Sequence, residues 1–196
     1  MDDYKYYEYS IEKQSTGANG IPSLYFHCAL SCISVARANR SKADYKNKAK
    51  KFLKRIKTWT KKGNPNTQHM EELIEAELAS GDANKSVATK HYEVAVLLAG
   101  RWGLVNDRAL AHERFGDHCM RQGDEENAKY HYSSALGLCK EWGAHAVAEK
   151  LNAQWLGLLV PVADVQVDNR GVSDADGKSV GTSTLSASGP NSSRHL

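Results

Sequence analysis

No stretch of this chain approaches the roughly 18 consecutive apolar residues that a membrane-spanning helix needs. The short signatures of most metal and nucleotide sites are missing as well. The four cysteines stand at 28, 32, 119 and 139, and no Cys-x-x-Cys pair occurs, so a cysteine-based zinc site has no support. His112-Glu113 opens like a metalloprotease helix, but Gly116 occupies the place of the second histidine ligand and His118 faces elsewhere. Gly177-Lys178-Ser179 ends like a phosphate-binding loop, yet Val172 stands where the first glycine is required. Asp174, Asp176 and Gly177 echo a calcium loop that lacks its terminal glutamate. No Ser/His/Asp or Cys/His arrangement follows from the spacing. These gaps leave no catalytic, cofactor or metal residues to nominate, and the expectation is a non-enzymatic chain. The opening MDDYKYYEYSIEKQS has no apolar run and begins with two acids, unlike a secretory signal. Reduced thiols and a cytoplasmic location are expected on that ground.

What is present is ordinary globular material. The 196 residues are 41% hydrophobic and 25% charged, enough for one domain with a real core. Residues 1–22 carry four tyrosines and end in GANGIP, which predicts a loose or weakly helical lead-in. Ser23 then suits an N-cap, and Phe26, Leu30 and Ile33 form one helical stripe with Cys28, Cys32 and Val35 beside it. Ser41 or Asp44 opens a second helix. Between 42 and 62 there are ten Lys/Arg and one acid, while Tyr45, Ala49, Phe52, Leu53, Ile56 and Trp59 keep to one face. GNPN at 63–66 ends it, and Asn66 or Thr67 caps a third helix. A fourth runs over 86–101, a fifth from Asn106 or Asp107 to about Gln122, a sixth to Glu141 and a seventh over 144–156. VPVADVQV suits a short extended segment. Residues 168–196 carry few large apolar groups, and 157–196 are expected to be a disordered tail.

The most informative stretch is HYEVAVLLAGRWG at 91–103, which returns as HYSSALGLCKEWG at 131–143. His, Tyr, Ala, Leu, Trp and Gly recur in place. At the same offset Ala76 meets Gly116 and Ala88 meets Ala128. Small residues at such positions mark close helix crossings, so Tyr92, Tyr132, Trp102 and Trp142 are expected to form a packing stripe. His91 and His131 read as framework residues of the repeat. A period near forty, helix–turn–helix each time, is the mark of stacked helical repeats. Three hairpins follow, at 23–61, 67–102 and 107–142, with the last helix as a cap. The fold class is therefore all-α: about seven helices in a domain at 23–156, before the tail.

Gly116, Ala128, Tyr132 and Ala135 resemble the small–small–aromatic–small pattern of a tetratricopeptide repeat. That resemblance implies a right-handed superhelix. The period exceeds the usual one, and Cys119 stands where a tyrosine is common. A wider resemblance rests on motifs in order: Trp59, NPN at 64–66, His69, LIEAELA at 73–79, HYEVAVLLA at 91–99, RALAHERFGDHC at 108–119 and ALGLCKEWGAHAVAEKL at 135–151. Together they are similar to the helical-repeat region of large multidomain signalling ATPases, often fused to protein kinase and sensor histidine kinase domains. The resemblance implies a scaffold for protein–protein contacts in a signalling assembly, with kinase or ATPase modules as partners. The alternative it implies is an accessory or truncated C-terminal part of an ATP-dependent signalling enzyme whose catalytic modules are absent from this chain.

Two surfaces are candidates for contact. The tetratricopeptide register puts Leu73, Glu77, Glu113, Asp117, Met120 and Arg121 on an inner groove. These acidic and apolar side chains favour a basic or mixed peptide, or another helix. The second surface is the basic face carrying Lys50, Lys51, Lys54 and Arg55, which suits an acidic partner or an anionic membrane surface. Nucleic acid is disfavoured, because no aromatic stacking platform accompanies the charge.

Overall fold

The computed structural model describes residues 20–38, 42–82 and 84–159. The lead-in at 1–19 and the tail from 160 onward, with VPVADVQV and DGKSVG, lie outside the described residues. The described part is all-α. Seven α-helices follow one another, α1 (Ile21–Ala38), α2 (Lys42–Lys61), α3 (Gln68–Gly81), α4 (Lys85–Arg101), α5 (Val105–Gln122), α6 (Glu125–Glu141) and α7 (His145–Leu159), with one 3₁₀ turn at Pro65–Thr67. No helix among the described residues is long and apolar enough to cross a membrane.

Each helix packs on its neighbour in sequence. The closest pairs are α1 with α2, α3 with α4, and α5 with α6, and α7 packs on α6. Tyr25 ties the first pair together, standing edge-on to Phe52 at 5.4 Å and to Trp59 at 5.3 Å. Ala49, Phe52, Leu53 and Ile56 are buried, so the apolar face of α2 is consumed within this core. At the other end Tyr132 stacks on Trp155 of α7 at 4.0 Å.

Local chemistry sets the helix limits, with some departures from the sequence expectations. α1 starts at Ile21, ahead of Ser23, and Pro22 sits in its first turn. A proline is harmless there because first-turn N–H groups have no intrahelical acceptor. α5 starts at Val105, so neither Asn106 nor Asp107 is its cap. Asp107 is instead drawn to His69, whose Nε2 lies 2.8 Å from its carboxylate. Thr67 precedes α3 without capping it. Its buried hydroxyl donates to Asn64 O at 2.9 Å. α7 continues to Leu159, beyond the boundary expected at 156.

The repeated Trp-Gly pairs terminate α4 and α6 in the same way. Gly103 and Gly143 have φ of 66° and 82°, and the next N–H reaches back to Ala99 O and Cys139 O, each at 2.9 Å. Glycine takes that left-handed conformation without a Cβ penalty. Trp102 and Trp142 are C-cap residues, 46% and 58% exposed, and do not join the packing stripe. Identity between the copies reflects the shared helix ending at these two positions.

The rest of the stripe is core. Tyr92 and Tyr132 are buried among Ala76, Ala88, Ala95, Ala128 and Ala135. Tyr132 lies flat against the bare backbone of α5: a Cβ added at Gly116 would fall 2.5 Å from its ring. The ring cannot retreat easily, since Trp155 stacks on it and its hydroxyl donates to Asp117 at 2.9 Å. Gly116→Ala is expected to lower stability by about 1–2 kcal/mol, the overpacking cost less what alanine gains as a helix former. Urea denaturation measures it; an unchanged or raised midpoint would mean that the tyrosine repacks freely.

Candidate functional site

Three helices enclose a long concavity. α4 and α6 form its walls, and α5 together with His131 at the base of α6 forms its floor. Two adjoining clefts, of about 500 Å³ and 420 Å³, share Glu93, Phe115, Tyr130 and His131 and make one continuous groove. Phe115, His112 and His131 are buried in its floor. Phe115 stacks on His131 at 3.8 Å and on Tyr92 at 5.1 Å. Leu97 and Tyr130 stand on the rim, 61% and 62% exposed.

Near pH 7 the burial of the floor imidazoles keeps them uncharged. His112 Nδ1 lies 3.0 Å from His131 Nδ1, so one ring donates and the other accepts. Burial, then the charge of His131 and of Arg108, lowers His112 to about 4. Burial also lowers His131 to about 4, against the opposing pull of Asp124. His118 is lowered too, chiefly by burial, and its Nδ1 lies 2.9 Å from Ser80 Oγ. The neighbouring Cys119 thiol is pushed up to about 11, first by burial and then by Asp124, so it is a poor nucleophile. Among the described residues no group of three or more His, Cys, Asp or Glu side chains could hold a metal ion. The site can bury an apolar side chain and hydrogen-bond a partner at its edges.

The residues expected on the inner groove lie elsewhere. Leu73 and Glu77 are each only 1% exposed and belong to the core, so neither can meet a partner. Glu77 accepts the Tyr92 hydroxyl at 2.8 Å and pairs with Arg37. Asp117 is half-buried and holds Tyr132 in the same way. These positions therefore face the second helix of their own hairpin, because each tyrosine reaches across for an acceptor. Glu113 is half-buried, and burial raises its carboxyl. Met120 and Arg121 are exposed, and Arg121 donates to Ser80 Oγ at 3.1 Å. None of the six lines the α4–α5–α6 groove.

Sequence reasoning missed the groove itself. One signal for its floor was available. His91 Nδ1 lies 2.6 Å from Glu72, and His131 meets His112 in the same manner. Glu72 and His112 are forty residues apart, so the second unit replaces an acid–histidine pair with two histidines.

The basic face is where the pattern put it. Lys50, Lys51, Lys54 and Arg55 are all exposed on α2, and Arg55 lies over Trp59 at 5.8 Å. Lys46 and Lys57 are engaged inside the domain, by Asp82 and Glu75. The hydrogen bond that Lys57 donates to Glu75 raises the Lys57 pKa and keeps the ammonium charged. Cys28 and Cys32 are half-buried free thiols, both raised by burial.

No family model, curated protein or solved structure matches the chain. The likeness to signalling-ATPase repeats thus rests on the motifs alone.

Proposed function

We propose that this chain is a non-enzymatic helical-repeat scaffold that holds a protein or peptide segment within a signalling assembly. On this reading the hairpins stack in the tetratricopeptide manner, as a right-handed superhelix, with α7 closing the stack. The reading carries a cytoplasmic location. The observation behind it is the α4–α5–α6 groove, where exposed Leu97 and Tyr130 rim a buried floor of Phe115 and neutral imidazoles. Apolar groups left exposed around a concave site are the usual mark of a partner surface. Peptide display on the full chain tests it, with Leu97→Asp/Tyr130→Asp as the comparison. Both side chains are exposed, so circular dichroism should be unchanged. A shared motif should be enriched at least about tenfold on the parent over the double variant. Equal recovery from both would end the reading.

The ordered motifs from Trp59 to Leu151 favour a second reading, an accessory part of an ATP-dependent signalling enzyme with kinase or ATPase modules as the bound partners. The basic face of α2 adds a separate contact, with anionic membrane surfaces. Its apolar residues are spent on packing, so this attachment is electrostatic and without insertion. Replacing Lys50, Lys51, Lys54 and Arg55 with glutamate should weaken binding to phosphatidylserine vesicles at least about a hundredfold. Vesicle binding that ignores both salt and this change would remove the membrane from the reading.

A further inference from the structure

The charges along the α4–α5–α6 groove are not evenly spread. Arg101 and Arg108 line the end formed by the last turn of α4 and the first turns of α5. Glu93 lies eight residues before Arg101 on α4, about 12 Å along the axis, and Lys85 and Asp124 sit farther off in the adjoining cleft. The domain pairs Arg37, Lys46 and Lys57 with its own carboxylates, whereas among the described residues neither Arg101 nor Arg108 has one. Arg108 is exposed, and it reaches back over the end of α4. Its guanidinium lies against the bare backbone at Gly100, where an added Cβ would fall 3.3 Å from Nε. Leu97 is one helical turn before Arg101, about 6 Å along α4, and Phe115 and Tyr130 face it across the groove.

We infer that this groove takes an acidic segment of a partner protein, one that sets a bulky apolar side chain between Leu97, Phe115 and Tyr130 and a carboxylate on Arg101 and Arg108. The inference rests on the groove being the partner site proposed above, and it names the chemistry of the occupant. Charge complementarity selects it. A basic segment would meet two guanidiniums without carboxylate partners at this end, and a neutral one would offer them no counter-charge. The uncharged floor of His112, His131 and Phe115 suits the apolar side chain and adds no competing charge.

Three fluorescent peptide sets test the assignment on the full chain. Each holds Leu or Phe at the same central position, flanked by Asp/Glu, by Asn/Gln or by Lys/Arg. The acidic set should bind at least about tenfold tighter than the neutral set, with affinity falling as salt is added. Arg108→Glu should reverse the order of preference. Arg108→Gln should weaken only the acidic set, since it removes the charge and leaves Leu97 and Tyr130 in place. Equal binding of all three sets, or preference for the basic one, with both lost in Leu97→Asp/Tyr130→Asp, would overturn the acidic assignment and leave the groove as a partner site. Absence of binding by every set would overturn both. Sedimentation gives a further control: self-association abolished by Leu97→Asp would assign the groove to a second copy of the chain and overturn the inference.

Discussion

Glu77→Ala is expected to destabilise the fold by about 3–5 kcal/mol, the largest single-residue effect in the molecule. The carboxylate is the meeting point of three helices. One oxygen accepts the Tyr92 hydroxyl of α4 at 2.8 Å, and the other pairs with Arg37 of α1. Arg37 also donates to the carbonyl of Glu77 at 2.7 Å. Alanine would leave a buried phenol without an acceptor and a half-buried guanidinium without its counter-charge. Glu77→Gln still accepts from Tyr92 and should cost less, about 1–2 kcal/mol. Replacing the network together, as Glu77→Leu with Arg37→Met and Tyr92→Phe, should recover most of the loss, because an apolar cluster of similar volume needs no charge compensation. Denaturant unfolding measures all three. A cost below about 1 kcal/mol for Glu77→Ala would mean that water satisfies the network from outside.

Mild acid should weaken the protein through the His112–His131 pair. Both rings titrate at about 4 in the folded chain, with burial as the main cause, against 6.5 when exposed. The sign follows from the depressed folded values. Above pH 6.5 neither state holds the extra protons, and the contribution of the pair is fully present. As the pH falls from 6.5 to 4 the unfolded chain takes up protons that the folded chain refuses, so stability drops. Below 4 both states are protonated and the dependence from this source ends. The two rings share one hydrogen bond and titrate together, so their losses do not simply add. With the groove mouth open to water, the total is about 3 kcal/mol. Replacing both histidines, as His112→Gln/His131→Leu, should flatten the profile between pH 6.5 and 4. An equally steep fall in that variant would assign the acid sensitivity to other groups.

Much of the fold was legible because it rests on local rules. Apolar residues at helical spacing mark each element, and GNPN ends α2 where the backbone has to turn. The offset of forty residues also predicted real equivalences. Tyr92 and Tyr132 occupy matching core positions, and so do Ala76 and Gly116. What the offset did not carry was direction. Glu77 and Asp117 were expected to face a partner, yet both bond the tyrosine of their own hairpin. Helical periodicity names the residues that share a face, but not the neighbour that face meets. Trp102 and Trp142 show the same limit, since repetition marked them as important without separating packing from chain ending.

The candidate groove belongs to the other category. Leu97 and Arg101 come from α4, Arg108, His112 and Phe115 from α5, and Tyr130 and His131 from α6, with no common motif among them. The sequence by itself determined the helices, their glycine endings and the basic outer face of α2, because each depends on residues within a few positions of one another. Only the tertiary structure decided which carboxylates are buried, which guanidiniums stay unpaired and where the concavity lies. Those outcomes follow from how closely three helices approach, and Gly116 marks where a single absent Cβ allows the Tyr132 ring to close on α5.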